Sequence, residues 1–181
     1  RPLHVFDADK IGSILHMRNA NDGEKIYALD KKEYQLDSSI TVIADKKNPL
    51  AIAGIIGGSE TGCTDNTKNV FLEVALFDPS KVAKTGRKLG INSDARYRFE
   101  RGLDKEMIEE GLEYASYLIN KICGGSVSKN TSAGKLDKKT HVIDYNFNYF
   151  EKVIGLSLSS EFQTKILKSL LFKINKITDK S

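Results

Sequence analysis

The 181-residue sequence predicts an α+β fold, a mixed or antiparallel sheet covered by helices and followed by a small helical module. Three observations predict it. Up to residue 77, short alternating or β-branched apolar stretches are separated by turn clusters. Between residues 79 and 123 the apolar spacing becomes that of helices. Beyond residue 126 a polar Ser/Lys/Asn/Gly stretch precedes a second, shorter helical pattern. The length suits one large domain, or one domain with part of another.

Alternation in Ser13-Ile14-Leu15-His16-Met17 and in Lys25-Ile26-Tyr27-Ala28-Leu29 predicts half-buried strands on either side of the turn residues 19–23. Asp30-Lys31-Lys32 leads into Tyr34-Gln35-Leu36, and Asp37-Ser38-Ser39 into the β-branched run Ile40-Thr41-Val42-Ile43-Ala44, so short antiparallel hairpins follow. Residues 50–56 are continuously apolar and few, which predicts a strand buried on both faces, ended by Gly57-Gly58 and partnered by residues 69–76. Residues 59–68 are polar and read as a surface loop. Asp78-Pro79 starts a helix, with a capping carboxylate and proline at the first position, and Leu89-Gly90 stops it. Asp104 caps a longer helix over residues 105–123, whose apolar stripe through Ile108, Leu112, Ala115 and Ile119 faces the sheet. Residues 126–130 are assigned to that sheet as well. The linker places a domain boundary near residue 137, giving domains 1–137 and 138–181. The second is expected to hold a strand over 141–145, a helix over 148–154, a helix opened by a capping box of Ser160 and Gln163, and an extended segment over 172–174.

Composition narrows the function. Lysine and arginine number 28 against 24 acidic residues, so the net charge of +4 is mildly basic and excludes a histone-like polycation. No apolar run approaches the roughly 18 residues of a membrane span, and no membrane or signal segment is expected. Cys63 and Cys123 match neither a disulfide framework nor a zinc spacing, which points to a reducing compartment and a cytoplasmic location. The start at Arg1 and the end at Ser181, where a new element begins, predict an excised piece of a longer protein.

Several residues carry candidate chemistry. Gly54-Ile55-Ile56-Gly57-Gly58 follows a predicted strand, but it matches neither phosphate-binding glycine motif and no helix follows it. Nucleotide binding, a tight turn and a pocket wall against something flat all remain open for it. His4, between Leu3 and Val5, reads as structural or catalytic. Glu73 is more telling: Val70-Phe71-Leu72-Glu73-Val74-Ala75-Leu76-Phe77 is apolar except for this carboxylate, which must find an internal arginine or lysine, or a ligand. The stretch 81–101 is basic, with Arg87, Lys88 and Arg96 as candidate RNA contacts, or a solvated face. No metal-ligand cluster or nucleophile–base spacing is present in the sequence, so no metal or covalent catalysis is expected.

Taken in order, Pro2-Leu3-His4-Val5-Phe6-Asp7, Leu50-Ala51-Ile52-Ala53-Gly54-Ile55-Ile56-Gly57-Gly58, Phe71-Leu72-Glu73 with Phe77-Asp78-Pro79, Lys84-Thr85-Gly86-Arg87-Lys88-Leu89-Gly90 and Ser93-Asp94-Ala95-Arg96-Tyr97-Arg98-Phe99-Glu100-Arg101-Gly102 form a distinctive series. The sequence resembles the bacterial phenylalanyl-tRNA synthetase β-chain family, in its B3/B4 editing domain followed by the start of its B5 domain. It departs from the family pattern at Val5, Ile56 and Arg96, none of them assigned to the editing pocket. The resemblance implies that residues 1–137 lack the upstream strands of the editing domain and that 138–181 begin B5. It implies a ligase that attaches phenylalanine to its tRNA with ATP and Mg2+, no cofactor in this portion, and a domain that hydrolyses tyrosine wrongly joined to the phenylalanine tRNA. Glu73 would accept the tyrosine phenol, Ala53, Gly54 and Gly57 would line the ring slot, and His4 would serve catalysis near the ester. The implied partners are the synthetase α chain, in a heterotetramer, and tRNA, with neither membrane nor DNA. The alternative is a non-catalytic packing or RNA-binding module of the synthetase, with Glu73 paired internally.

Overall fold

The computed structural model describes residues 1–135 and 141–177. By its contacts the chain divides into two units, Arg1–Ala133 and Gly134–Ser181. The boundary expected near residue 137 falls outside the described residues.

In the first unit the strands are β1 (His4–Asp7), β2 (His16–Asn19), β3 (Lys25–Tyr27), β4 (Glu33–Gln35), β5 (Thr41–Ala44), β6 (Pro49–Ile52), β7 (Ile56–Gly57) and β8 (Val70–Glu73). Every pairing is antiparallel: β2-β5-β6-β7 form one sheet, while β1 with β8 and β3 with β4 form two-stranded ribbons. The α+β class holds, and the sheet is antiparallel. The core gathers Phe6, Leu36, Ile40, Val42 and Ile52, all essentially inaccessible, and extends to Ile55, Phe77, Val82, Ile91 and Phe99.

Helix α1 (Pro79–Leu89) has the limits its end signals predict. The Asp78 carboxylate accepts from the Lys81 amide at 2.8 Å, and Gly90 takes the left-handed conformation, φ 65°, that closes a helix. The helix expected over 105–123 is α3 (Met107–Cys123); Asp104 does not cap it, because its carboxylate turns back onto the Glu106 amide. Between them lies α2 (Asp94–Phe99), a short helix within the basic stretch 81–101.

Three strand assignments are corrected. The apolar run over 50–56 is not one strand: β6 stops at Ile52, a turn closed by the Ile55 amide on the Ile52 carbonyl follows, and β7 returns alongside β6. Gly54, at φ 71°, makes that turn, because a side chain there would be strained. Second, β8 does not partner β6; it pairs with β1, with His4 opposite Glu73 and Phe6 opposite Phe71. Third, residues 126–130 form no strand. They are wholly exposed, and a polar segment with a single valine has nothing to bury against a sheet.

The second unit is helical, with α4 (Phe147–Ile154) and α5 (Ser160–Ser169). The cap of α5 is Ser159, whose hydroxyl accepts from the Phe162 amide, one residue before the predicted Ser160. Gln163 instead donates to the Leu158 carbonyl and accepts from the Tyr145 hydroxyl. The strand expected over 141–145 and the extended segment over 172–174 join no strand ladder among the described residues. Val142 and Ile143 are largely exposed, and β-branched side chains do not make a strand without a ladder to join.

Candidate functional site

The strand pair β1–β8 and the β6–β7 turn meet at one cavity of about 220 Å3. Its lining includes His4, Ala53, Gly54, Gly57 and Glu73, together with Leu29, Ile56, Phe77, Ala95 and Phe99. At that volume, below the ~300–1,000 Å3 of drug-sized sites, it suits a single ring or side chain. The walls are mostly hydrocarbon, and the ionisable groups among them are His4 and Glu73.

Register brings those two groups together. Residues directly opposite in an antiparallel pair present their side chains on the same face, so His4 and Glu73 stand side by side. Alternation along β1 puts Phe6 on that face too, and its ring meets the His4 imidazole edge-on at 4.3 Å between centroids. The imidazole lies against Gly57: a β-carbon on that glycine would fall 2.2 Å from His4 Cε1. Gly57 thus leaves room for the His4 ring as well as lining the cavity.

Gly54 has a different reason to be glycine. Besides its positive φ, a β-carbon there would lie 2.8 Å from Phe77 and within 3.2–3.3 Å of Val82 and Phe99. The turn rests on the Phe77–Phe99 pair, whose ring centroids are 5.0 Å apart. Gly54 thus makes the tight turn, and it also lines the cavity.

The Glu73 carboxylate makes no hydrogen bond or ion pair among the described residues, so an internal cation is not its partner there. Burial pushes its carboxyl up to about 7 from an ordinary 4.5. The His4 imidazole is pushed down by the same cause, and its Nε2 is buried with no partner among the described residues. Both groups are driven toward their uncharged forms, as expected of titratable side chains in an apolar recess.

The expected RNA contacts are not brought to this cavity. Arg87 is exposed on α1. Lys88 is ion-paired with Asp37 and donates to the Ser39 hydroxyl at 3.2 Å. Arg96 is engaged inside the fold: its guanidinium bonds Glu100 at 3.0 Å and the Ile91 carbonyl at 2.6 Å, and its stem lies across Gly86. Its charge is thereby directed inward.

Residues absent from the sequence-based site also line the cavity. Ile56, placed there outside the site, is part of the wall. Ala95 and Phe99 come from α2, and Phe77 from the segment before α1. The signal available for α2 was Asn92-Ser93-Asp94, a cap followed by an acidic first turn. Among the described residues there is no cluster of three or more metal-ligating side chains and no helix long and apolar enough to cross a membrane.

The family model described as the B3/4 domain matches residues 1–124 of this chain. The chain belongs to the B3/4 domain family. This B3/4 chain is 47% identical over 174 residues to the phenylalanine–tRNA ligase beta subunit of Brucella suis biovar 1 (strain 1330), covering 96% of its own length and 22% of that protein. To the beta subunit of the same name from Nitrobacter winogradskyi it is 45% identical, covering 96% and 21%. It thus spans about a fifth of the length of the curated relatives it matches. Among solved structures it is similar to a crystal structure of an N-terminal fragment of the phenylalanyl-tRNA synthetase beta-subunit from Pyrococcus horikoshii. That match has a TM-score of 0.46 and 19% identity, over 98% of this chain and 51% of that one.

Proposed function

We propose that this B3/4 domain is part of a phenylalanine–tRNA ligase beta subunit and that its cavity is a proofreading site, hydrolysing tyrosine wrongly esterified to the phenylalanine tRNA. The observation that carries the proposal is Glu73, a carboxylate without an internal partner in an apolar recess the size of one ring. A synthetic pocket shaped for a phenyl ring rejects an analogue bearing one extra hydroxyl only about 10²-fold, so a second pocket that recognises the hydroxyl is needed to reach higher fidelity. Glu73 suits that second pocket, because its oxygens accept a phenol hydrogen while a phenylalanine ring would leave them unpaired. His4, whose imidazole burial drives toward its neutral form, is the candidate catalytic group beside Glu73, near the ester. Ala53 and Gly54 keep the slot narrow. The ATP and Mg2+ of the charging reaction act elsewhere in the ligase, whose alpha chain and tRNA are the partners, in the cytoplasm.

The test is Glu73→Ala in the full-length ligase. Hydrolysis of tyrosyl-tRNA should slow about fivefold to a hundredfold, the cost of leaving the buried phenol hydroxyl without its acceptor, while phenylalanine charging stays near normal. Unchanged clearance of tyrosyl-tRNA by the variant refutes the assignment.

A further inference from the structure

The β6–β7 turn carries Ala53 and Gly54, and something must hold it at the right distance from the β1–β8 pair that carries His4 and Glu73. At its first residue the Ala53 amide donates to the Thr41 carbonyl of β5 at 3.0 Å, and beneath Gly54 it rests on Phe77, Val82 and Phe99. Its polar tie to the helical layer is a side-chain hydrogen bond, in which the Ser93 hydroxyl donates to the Ile55 carbonyl at 2.6 Å. The same oxygen accepts from the Arg96 amide at 3.1 Å as the cap of α2. One hydroxyl therefore joins the turn to the start of the helix that supplies Ala95 and Phe99 to the cavity wall. The rest of α2 is anchored independently, by Arg96 on the Ile91 carbonyl. If the helix stays while the turn loosens, the width of the slot changes and the His4–Glu73 pair does not.

We propose that Ser93 is a positioning residue that sets which rings the cavity admits, by holding the Ala53–Gly54 turn against α2 through its bond to the Ile55 carbonyl. The proposal rests on the proofreading reading for the identity of the ring, an aromatic amino-acid side chain presented as an ester, and on the geometry alone for the tie. It separates two tasks in the site. Glu73 reads the phenol oxygen, and Ser93 maintains the gap through which the ring passes.

Three substitutions separate the tie from the helix cap. Ser93→Thr keeps a hydroxyl that donates and accepts. Ser93→Asp keeps an excellent capping acceptor but, as a carboxylate, has no hydrogen to give the Ile55 carbonyl. Ser93→Ala loses both. In the full-length protein, tyrosyl-tRNA hydrolysis by the Asp and Ala variants should show KM raised about tenfold with kcat within about twofold, the pattern of lost ground-state fit, while the Thr variant stays near wild type. Melting should set Ala below Asp, because only Ala removes the cap. In parallel, the amide resonances of Gly54 and Gly57 in the unliganded chain should move in Ser93→Asp and stay in place in Ser93→Thr. Wild-type KM and unmoved glycine amides in Ser93→Asp would reduce Ser93 to a helix cap and overturn the proposal, as would a Thr variant as impaired as Ala. Glycine amides that move as expected, in a protein whose wild type does not hydrolyse tyrosyl-tRNA, would sustain the tie and sink the proofreading reading instead.

Discussion

Glu73 and Gly57 show how one side chain, present or missing, shapes the cavity. Because burial raises the Glu73 carboxyl to about 7, the folded chain retains a proton that the unfolded chain, with an ordinary value of 4.5, has already released. Stability should therefore fall as pH rises from about 4.5 through about 7, and the loss should be complete above that. Glu73→Gln removes the effect, so at pH 8 the variant should melt a few degrees above wild type, a gain of about 1–3 kcal/mol, and the two should converge near pH 4.5. His4 works in the opposite direction, its lowered value costing stability as pH drops below 6.5, but it is common to both proteins and cancels in the comparison. A melting difference that does not change with pH would mean the carboxylate has a partner in solution. At Gly57, alanine adds a methyl where His4 Cε1 stands 2.2 Å away, so the imidazole must swing aside. The backbone there tolerates alanine, so Gly57→Ala should fold with a loss of about 1–3 kcal/mol, while the His4 ring resonances shift strongly and tyrosyl-tRNA hydrolysis collapses. A variant with unmoved His4 signals would contradict the packing described.

Among the elements, α1 is the brace of the site, since Val82 on its buried face touches the position where a Gly54 side chain would be. Its start depends on Asp78. Replacing that carboxylate with alanine leaves the Lys81 amide without its acceptor and should cost about 1 kcal/mol, a drop of roughly 2–4 °C in melting temperature for a chain of this size. Asp78→Asn, which still accepts, should recover most of it. Equal melting of the Ala and Asn variants would place the cap's contribution elsewhere. The ends of α1 were legible in the sequence because Asp78-Pro79 and Leu89-Gly90 are local signals: each acts on backbone groups within one turn of itself. The β6–β7 turn was not legible, because seven apolar residues in a row carry no period, and only the positive φ of Gly54 interrupts them. The strand expected over 141–145 failed for the related reason that β-branched residues record a preference for a ladder without supplying its second strand.

For the whole molecule, every residue lining the cavity lies within the unit Arg1–Ala133, and the B3/4 family match ends inside the same unit, at residue 124. A chain cut after Ala133 should accordingly melt cooperatively and keep the Gly54 and Gly57 amide resonances of the 181-residue protein. Loss of those signals would mean the site draws on the second unit for its shape. The sequence by itself determined the α+β class, the limits of α1, the oddity of a carboxylate at Glu73, and the ordered series of segments that marks the family. Each of these is written in neighbouring residues or in residue type. Only the tertiary structure decided that β8 pairs with β1, which sets His4 beside Glu73. It alone decided that the space at Gly57 is filled by the His4 ring, that Arg96 turns inward, and that α2 closes the cavity with Phe99. These arrangements depend on which distant surfaces meet, and strand pairing and core packing choose their partners by mutual fit across the fold, which no single stretch of sequence contains.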